Sequence, residues 1–208
     1  RRRLHWRYRD KLNALLDAPI PESCRYRPGA CATFRAVLDR ILASDDAAQV
    51  YVAGGVVRDL VAGRDVSGAD IDIKFTRVSR QRLRAIFDDM RLAMRVDEQK
   101  RYMYFFVGCD PRVQLEGSAM DPARGMPVES PANALMVDLR TMDLLDPTGR
   151  GVEDAKAGVW RIPPDMDPEE WFAGESAPRL LWRMIKFRLR GFTVPRDDVV
   201  FTYRAFVR

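Results

Sequence analysis

Two aspartates, Asp70 and Asp72, alternate with Ile71 and Ile73 in the run ADIDIKF (Ala69–Phe75). On an extended chain alternate residues share a face, so the isoleucines face a core and both carboxylates face the other side. Two residues of strand rise about 6–7 Å, near enough for both acids to lean on one cation site. Without a counter-charge the pair would repel and one carboxyl would be driven up in pKa; Mg²⁺ removes that penalty. Paired divalent ions about 3.5–4 Å apart recur wherever a phosphoryl or nucleotidyl group is displaced in line. The same spacing also suits an ordinary pair of surface acids.

Two further features bear on that choice. Arg112–Glu116 (RVQLE) alternates again, with Val113 and Leu115 on one face and Gln114 and Glu116 on the other. Beside Ala69–Phe75, it would make Glu116 a third acid for the metal. Upstream, an apolar run ends in Gly54-Gly55. A strand entering such a turn at a helix start exposes backbone N–H groups that favour phosphate, although a plain tight turn has the same composition. Asp59 would bond back within the turn, and Arg58 either faces phosphate or pairs with a nearby acid. Together the features describe a phosphate cradle opposite a metal pair.

The elements that must position these residues follow from periodicity and punctuation. Helices are predicted over Leu4–Leu16, Cys31–Ala43, Val56–Ala62 (closed by Gly63), Ser79–Leu92 (capped by its serine) and Ala177–Arg190. Strands are predicted over Gln49–Ala53, Ala69–Phe75, Tyr102–Val107, Arg112–Glu116, Met142–Leu145 and Val159–Ile162, with a turn at Cys109-Asp110-Pro111. Ser118–Pro131 reads as a loop, Ala132–Leu139 as a short helix, and Gly149–Gly158 as a turn with a short helix. Near Pro163-Pro164 a mixed sheet pattern gives way to a helical one. The division is a basic helical extension over 1–46, a sheet domain over 47–164 and the start of a helical domain over 165–208.

Composition narrows the chemistry. With 208 residues, 47% of them hydrophobic, the chain has the material for a real core. Its net charge of +5 and pI near 9.3 suit a polyanion such as nucleic acid, or arginines on a solvated face. Cys24, Cys31 and Cys109 form no CxxC pair and read as reduced, in an intracellular compartment. The single histidine, His5, leaves no material for a histidine triad or a multi-histidine metal site. No apolar run approaches the roughly 18 residues of a membrane span, so no membrane partner is expected.

The stretch GGVVRDLVAGRDVSGADIDIKF (Gly54–Phe75) resembles the head-domain signature of the tRNA nucleotidyltransferase (CCA-adding) and bacterial poly(A) polymerase family, in which GGxVRD precedes DxD. Asn133–Pro163 resembles the family's stretch from Asn-Ala-Leu through an Asp-Pro turn to a Glu-Asp-x-Lys-x-Gly segment. Pro178–Phe192 resembles the start of its helical neck. The resemblance implies an α+β, polymerase-β-like nucleotidyltransferase head, a mixed sheet with flanking helices, followed by an α-helical neck. It implies Mg²⁺, a nucleoside triphosphate and an RNA 3′ end, tRNA or another, as acceptor. Carried over by position, Asp70, Asp72 and Glu116 would hold the metals, and Gly54 and Gly55 the triphosphate. Arg58 and Asp59 would shape that turn, with Asn133, Arg183 and Lys186 also on the nucleotide.

The chain departs from the family where an Arg-Arg-Asp motif usually precedes Asn-Ala-Leu; Pro127, Val128 and Glu129 stand there. In the neck, Ala177 and Leu180 replace a usual aspartate and arginine, while Arg183, Lys186 and Phe187 match. Arg124, in the proline-rich loop, is a candidate substitute cation. The first expectation is an active, template-independent nucleotidyltransferase on RNA 3′ ends, of the tRNA CCA or poly(A) type. The second is a catalytically degenerate homologue serving as an RNA-binding or scaffolding subunit of a ribonucleoprotein. A small-molecule nucleotidyltransferase is a third, favoured by DxD but not by the downstream likeness. Cytoplasm and mitochondrial matrix both suit such a chain.

Overall fold

The computed structural model describes residues 2–20, 33–67, 69–92, 95–96, 104–107, 115–119, 129–163 and 176–207. Among these, eight strands form one mixed sheet in the order β1-β8-β7-β2-β3-β6-β5-β4. The central strands are β2 (Gln49–Ala53), β3 (Ile71–Thr76) and β7 (Met136–Asp138); β6 is Leu115–Ala119 and β8 is Asp143–Leu145. The outer strands are β1 (Arg2–Arg3), β5 (Tyr104–Val107) and β4 (Arg95–Val96). Only the β3–β6 pairing is parallel among these; the other pairings are antiparallel.

One sheet face is covered by helices α1 (Trp6–Leu16), α2 (Phe34–Leu42), α3 (Gly55–Val61) and α4 (Arg80–Asp89). Their starts are capped as the residue types dictate. The Thr33 hydroxyl accepts from the Ala36 N–H at 3.2 Å, and the Ser79 hydroxyl accepts from the Arg82 N–H at 3.1 Å. At helical spacing, Phe34, Val37, Leu38 and Ile41 of α2 and Leu83, Ile86 and Phe87 of α4 are buried against Val50, Val52, Ile71, Ile73 and Phe75. This core takes side chains from Leu4 through Ala155, so the first 46 residues contribute to it alongside the sheet. The opposite face carries a smaller buried group of Tyr51, Ala53 and Met136.

After α5 (Gly151–Ala157), the helix α6 (Ser176–Leu189) and the loop that follows it build a second core of Trp160, Leu180, Met184, Phe187, Phe192 and Val194, against which Val199 and Phe201 of α7 (Arg196–Phe206) pack partly buried.

Two predicted elements are corrected. Ala132–Leu139 is not a helix: a 3₁₀ turn spans Pro131–Ala134 and the chain then enters β7. All three β7 residues are buried between β2 and β8, which removes the alternation that marks a half-buried strand. Val159–Ile162 joins no sheet; Val159 forms an isolated bridge with Thr193, in the loop between α6 and α7. The predicted strand Arg112–Glu116 is described only from Leu115 and runs on to Ala119, taking in Ser118, which the sequence reading gave to a loop. The predicted turn at Cys109-Asp110-Pro111 and residues Arg124, Pro127 and Val128 lie outside the described residues.

Candidate active site

The site is built where β2 ends. Ala53 is the register partner of Asp72 on β3, and directly paired residues share a face of the sheet. Asp72 therefore stands on the face of Tyr51 and Ala53, while Ile71 and Ile73 are wholly buried in the main core. The chain then turns at Gly54 with φ +71° and ψ −138° and enters α3 at Gly55. The turn is tied on both sides: the Gly54 N–H donates to the Leu135 carbonyl at 3.3 Å, and the Gly54 carbonyl accepts from the Arg58 N–H at 3.1 Å. A β-carbon added at Gly54 would fall 2.9 Å from Asp72 Oδ2. The carboxylate thus lies directly against the bare glycine, and the two motifs of the sequence meet in space.

Asp70 lies just ahead of β3 and is exposed, and Asp72 is half-buried. The parallel register sets Glu116 level with Asp72 on the neighbouring strand β6, the adjacency that a third acid requires. Among the described residues no group of three histidine, cysteine, aspartate or glutamate side chains forms a metal cluster. Asp72 against the side-chain-free turn, with the exposed Asp70 two residues ahead of it, nevertheless offers hard carboxylate oxygens, the donor type that Mg²⁺ takes.

Arg58 resolves the choice left by its sequence: it pairs with an acid. Its Nε donates to Asp59 Oδ1 at 2.9 Å and its Nη2 to Asp59 Oδ2 at 2.7 Å, a two-pronged contact. Its Nη1 donates to Asn133 Oδ1 at 2.7 Å. Only 2% of Arg58 is exposed, and its guanidinium carbon sits 4.8 Å from the Phe187 ring centre and 5.4 Å from that of Phe192. Arg64 stacks on the other ring, 4.2 Å from the Phe192 centre, and approaches Asp59 at 3.8 Å.

From Asn133 the contacts run on. Its Nδ2 lies 3.5 Å from Glu129 Oε1, and Arg183 Nε meets that same oxygen at 3.3 Å. Lys186, one turn along α6 from Arg183, has its pKa lowered, first by burial and then by the charges of Arg190, Arg183 and Arg58; Asp70 pulls it back up. Lys186 is therefore a cation crowded by cations, with the site's own acid as its electrostatic relief.

The structure thus brings Gly54, Asp72, Asp70 and Lys186 to one locality. It gathers Arg58, Asp59, Asn133 and Arg183 into a contact chain beside it. Sequence reasoning missed Phe192 and Arg64, which lie far apart along the chain and follow no common period. Glu129 was visible only as a departure from the family pattern, not as the partner of Arg183.

Among solved structures, the chain is similar to a Thermotoga maritima CCA-adding enzyme complexed with tRNA, at 19% identity and a TM-score of 0.62, over 81% of this chain and 40% of that one. It is similar to a CCA-adding enzyme in complex with ATP, at 20% identity and a TM-score of 0.60, over 84% and 42%. An apo tRNA-processing enzyme matches at 20% identity and a TM-score of 0.59, over 82% and 46%. No protein-family profile and no curated protein matches by sequence. The chain spans less than half the length of these three structures. At such identities the likeness is one of fold: the α+β sheet unit and the helices that follow it share the fold of CCA-adding and tRNA-processing enzymes.

Proposed function

We propose that the chain carries the nucleotide-transferring head of an enzyme that extends RNA 3′ ends. The single observation that carries this reading is the apposition of Asp72 Oδ2 and Gly54, which sets a carboxylate pair beside a turn able to take a polyphosphate. The fold supports it, since the similar structures include complexes with tRNA, CTP and ATP. In the reaction an RNA 3′ hydroxyl attacks the α-phosphorus, a new P–O bond forms, and pyrophosphate leaves as the α–β bridge breaks. Asp70 and Asp72, with Glu116 beside them, would hold Mg²⁺. When bound, the metal supplies charge neutralisation and a lowered pKa for the hydroxyl. Gly55, whose N–H opens α3, would offer a backbone donor to the triphosphate, and Gly54, whose own N–H is held by the Leu135 carbonyl, would keep the turn clear of a side chain beside it. Lys186 and Arg183 supply positive charge from α6, and Arg58, Asp59 and Asn133 hold the turn in place. Residues 47–164 would form the head and 165–208 the start of a neck, with 1–46 completing the head's core. No described helix is long and apolar enough to cross a membrane.

The test is direct. With Mg²⁺, each labelled nucleoside triphosphate and a tRNA or short RNA, the wild-type chain extends the RNA. Asp70→Ala and Asp72→Ala reduce extension to background while circular dichroism stays unchanged. Equal extension by all three proteins would overturn the assignment.

A second reading has its own observation. Arg183 is already paired with Glu129, and the neck position where the family resemblance expects an arginine is the wholly buried Leu180. Both leave less positive charge for a triphosphate. A catalytically silent, RNA-binding subunit of a ribonucleoprotein would show no extension, yet bind RNA with an affinity that falls steeply with salt and survives Asp72→Ala. Salt-insensitive binding would exclude it.

A further inference from the structure

The contacts of Arg58 point to a role other than phosphate binding. Its Nε, Nη1 and Nη2 are each within hydrogen-bond distance of a partner on the head. Its guanidinium carbon lies 4.8 Å and 5.4 Å from the ring centres of Phe187 and Phe192, which belong to the helical segment. Phe187 and Phe192 meet edge to face at 5.0 Å, and Trp160 stacks on Phe187 at 6.1 Å. The backbone closes the same joint: the Thr193 N–H donates to the Gly158 carbonyl at 2.8 Å, and the Trp160 N–H donates to the Thr193 carbonyl at 2.9 Å.

We propose that Arg58 is a positioning residue: an almost wholly buried pin that seats the α6–α7 segment on the glycine turn and thereby sets Arg183 and Lys186 opposite the carboxylate pair. Only its last clause rests on the nucleotidyltransferase reading. The pin uses the shape of the guanidinium as much as its charge. A planar fork can grip both Asp59 oxygens and Asn133 edge-on while a ring lies flat on it; an ammonium can do the first in part and the second poorly. Asn133 extends the seat, since it also contacts Glu129, which holds Arg183.

Two variants separate a pin from a phosphate ligand. Arg58→Lys keeps the positive charge but loses the fork. Asn133→Ala keeps the guanidinium and frees Nη1. Hydrogen–deuterium exchange is read at the Trp160, Phe192 and Thr193 amides, and inorganic tripolyphosphate and ATP, each with Mg²⁺, are titrated by calorimetry.

For a pin, Arg58→Lys speeds exchange at those three amides by about tenfold or more relative to the β2 and β3 amides, the signature of local opening. Both variants then weaken tripolyphosphate and ATP alike. For a phosphate ligand, Arg58→Lys leaves exchange at the joint unchanged, and Asn133→Ala holds or tightens tripolyphosphate. Either of those results overturns the proposal. If the wild-type chain binds neither polyphosphate, the nucleotidyltransferase reading fails, while the exchange arm still decides whether Arg58 seats the helices. Should Arg58→Lys fail to fold, Phe187→Leu, which keeps the arginine and removes its ring, is read in the same exchange experiment with the same expected and overturning results.

Discussion

Gly54→Ala is the substitution that tests the site's geometry most sharply. At φ +71° and ψ −138° the residue lies outside the left-handed helical well, in backbone space that a side chain enters at a cost on the order of 1–3 kcal/mol. The new β-carbon would also fall 2.9 Å from Asp72 Oδ2, so the carboxylate must leave its rotamer, adding roughly 0.5–1.5 kcal/mol. Together these place the loss at about 2–4 kcal/mol, within the stability of an ordinary domain. Gly63→Ala is the matched control: its φ is +75°, but nothing lies within 4 Å of its added β-carbon, so it loses only the backbone part, about 1–2 kcal/mol. Urea unfolding at constant slope measures both losses. Titration with ATP and Mg²⁺ then shows whether affinity falls at least tenfold for Gly54→Ala and stays unchanged for Gly63→Ala. A Gly54→Ala protein within about 0.5 kcal/mol of wild type, or one as destabilised as Gly63→Ala that binds ATP normally, would refute the reasoning.

Two further outcomes follow from the described contacts. Lys186 has a lowered pKa, so the folded state binds its proton less tightly than the unfolded chain; the charged form costs stability at neutral pH, and the cost disappears as pH rises past the ordinary lysine value of about 10.4. Thermal melts should therefore show Lys186→Met more stable than wild type at pH 7, a gap that closes above that value, with tripolyphosphate raising the midpoint of wild type more than that of the variant. Asp146 accepts from the Gly151 N–H at 3.1 Å and the Val152 N–H at 3.0 Å at the start of α5, so Asp146→Ala should lose about 0.5–2 kcal/mol in urea unfolding, and Asp146→Asn much less.

The parts of the site that were legible in the sequence are those written in short-range pattern. Ile71 and Ile73 alternate with Asp72, and that alternation alone assigns the faces of β3. Gly54-Gly55 after an apolar run marks a turn because only glycine tolerates the backbone there. Other parts have no short-range signal. The strands Arg2–Arg3 and Arg95–Val96 are too short to alternate visibly. Val159–Ile162 has the composition of a strand, but its partner is a loop segment more than 30 residues on. Arg58 is the clearest case: its sequence allowed either phosphate or acid, the acid is the next residue, Asp59, and the partners that fix its fork there, Asn133 and Phe187, lie 75 and more residues away.

On the proposed reading, the distribution of charge gives the sheet end and the helices complementary parts of one site. The sheet presents Asp70 and Asp72 near its β2–β3 end, and two carboxylates there disfavour an anionic substrate. The cations come from α6 and the residue that follows it, where burial first, and then the charges of Arg190 and Arg183, depress the proton affinity of Lys186. On the helix side, cations repel cations. Asp70 partly offsets that crowding at Lys186. A divalent ion on the acids would draw that relief away from Lys186, and a polyphosphate reaching from the metal to the helix would restore it. The head–helix joint at Arg58 is accordingly not a passive hinge. On the proposed reading it would set the distance over which a single anionic chain could reach from the carboxylates to α6.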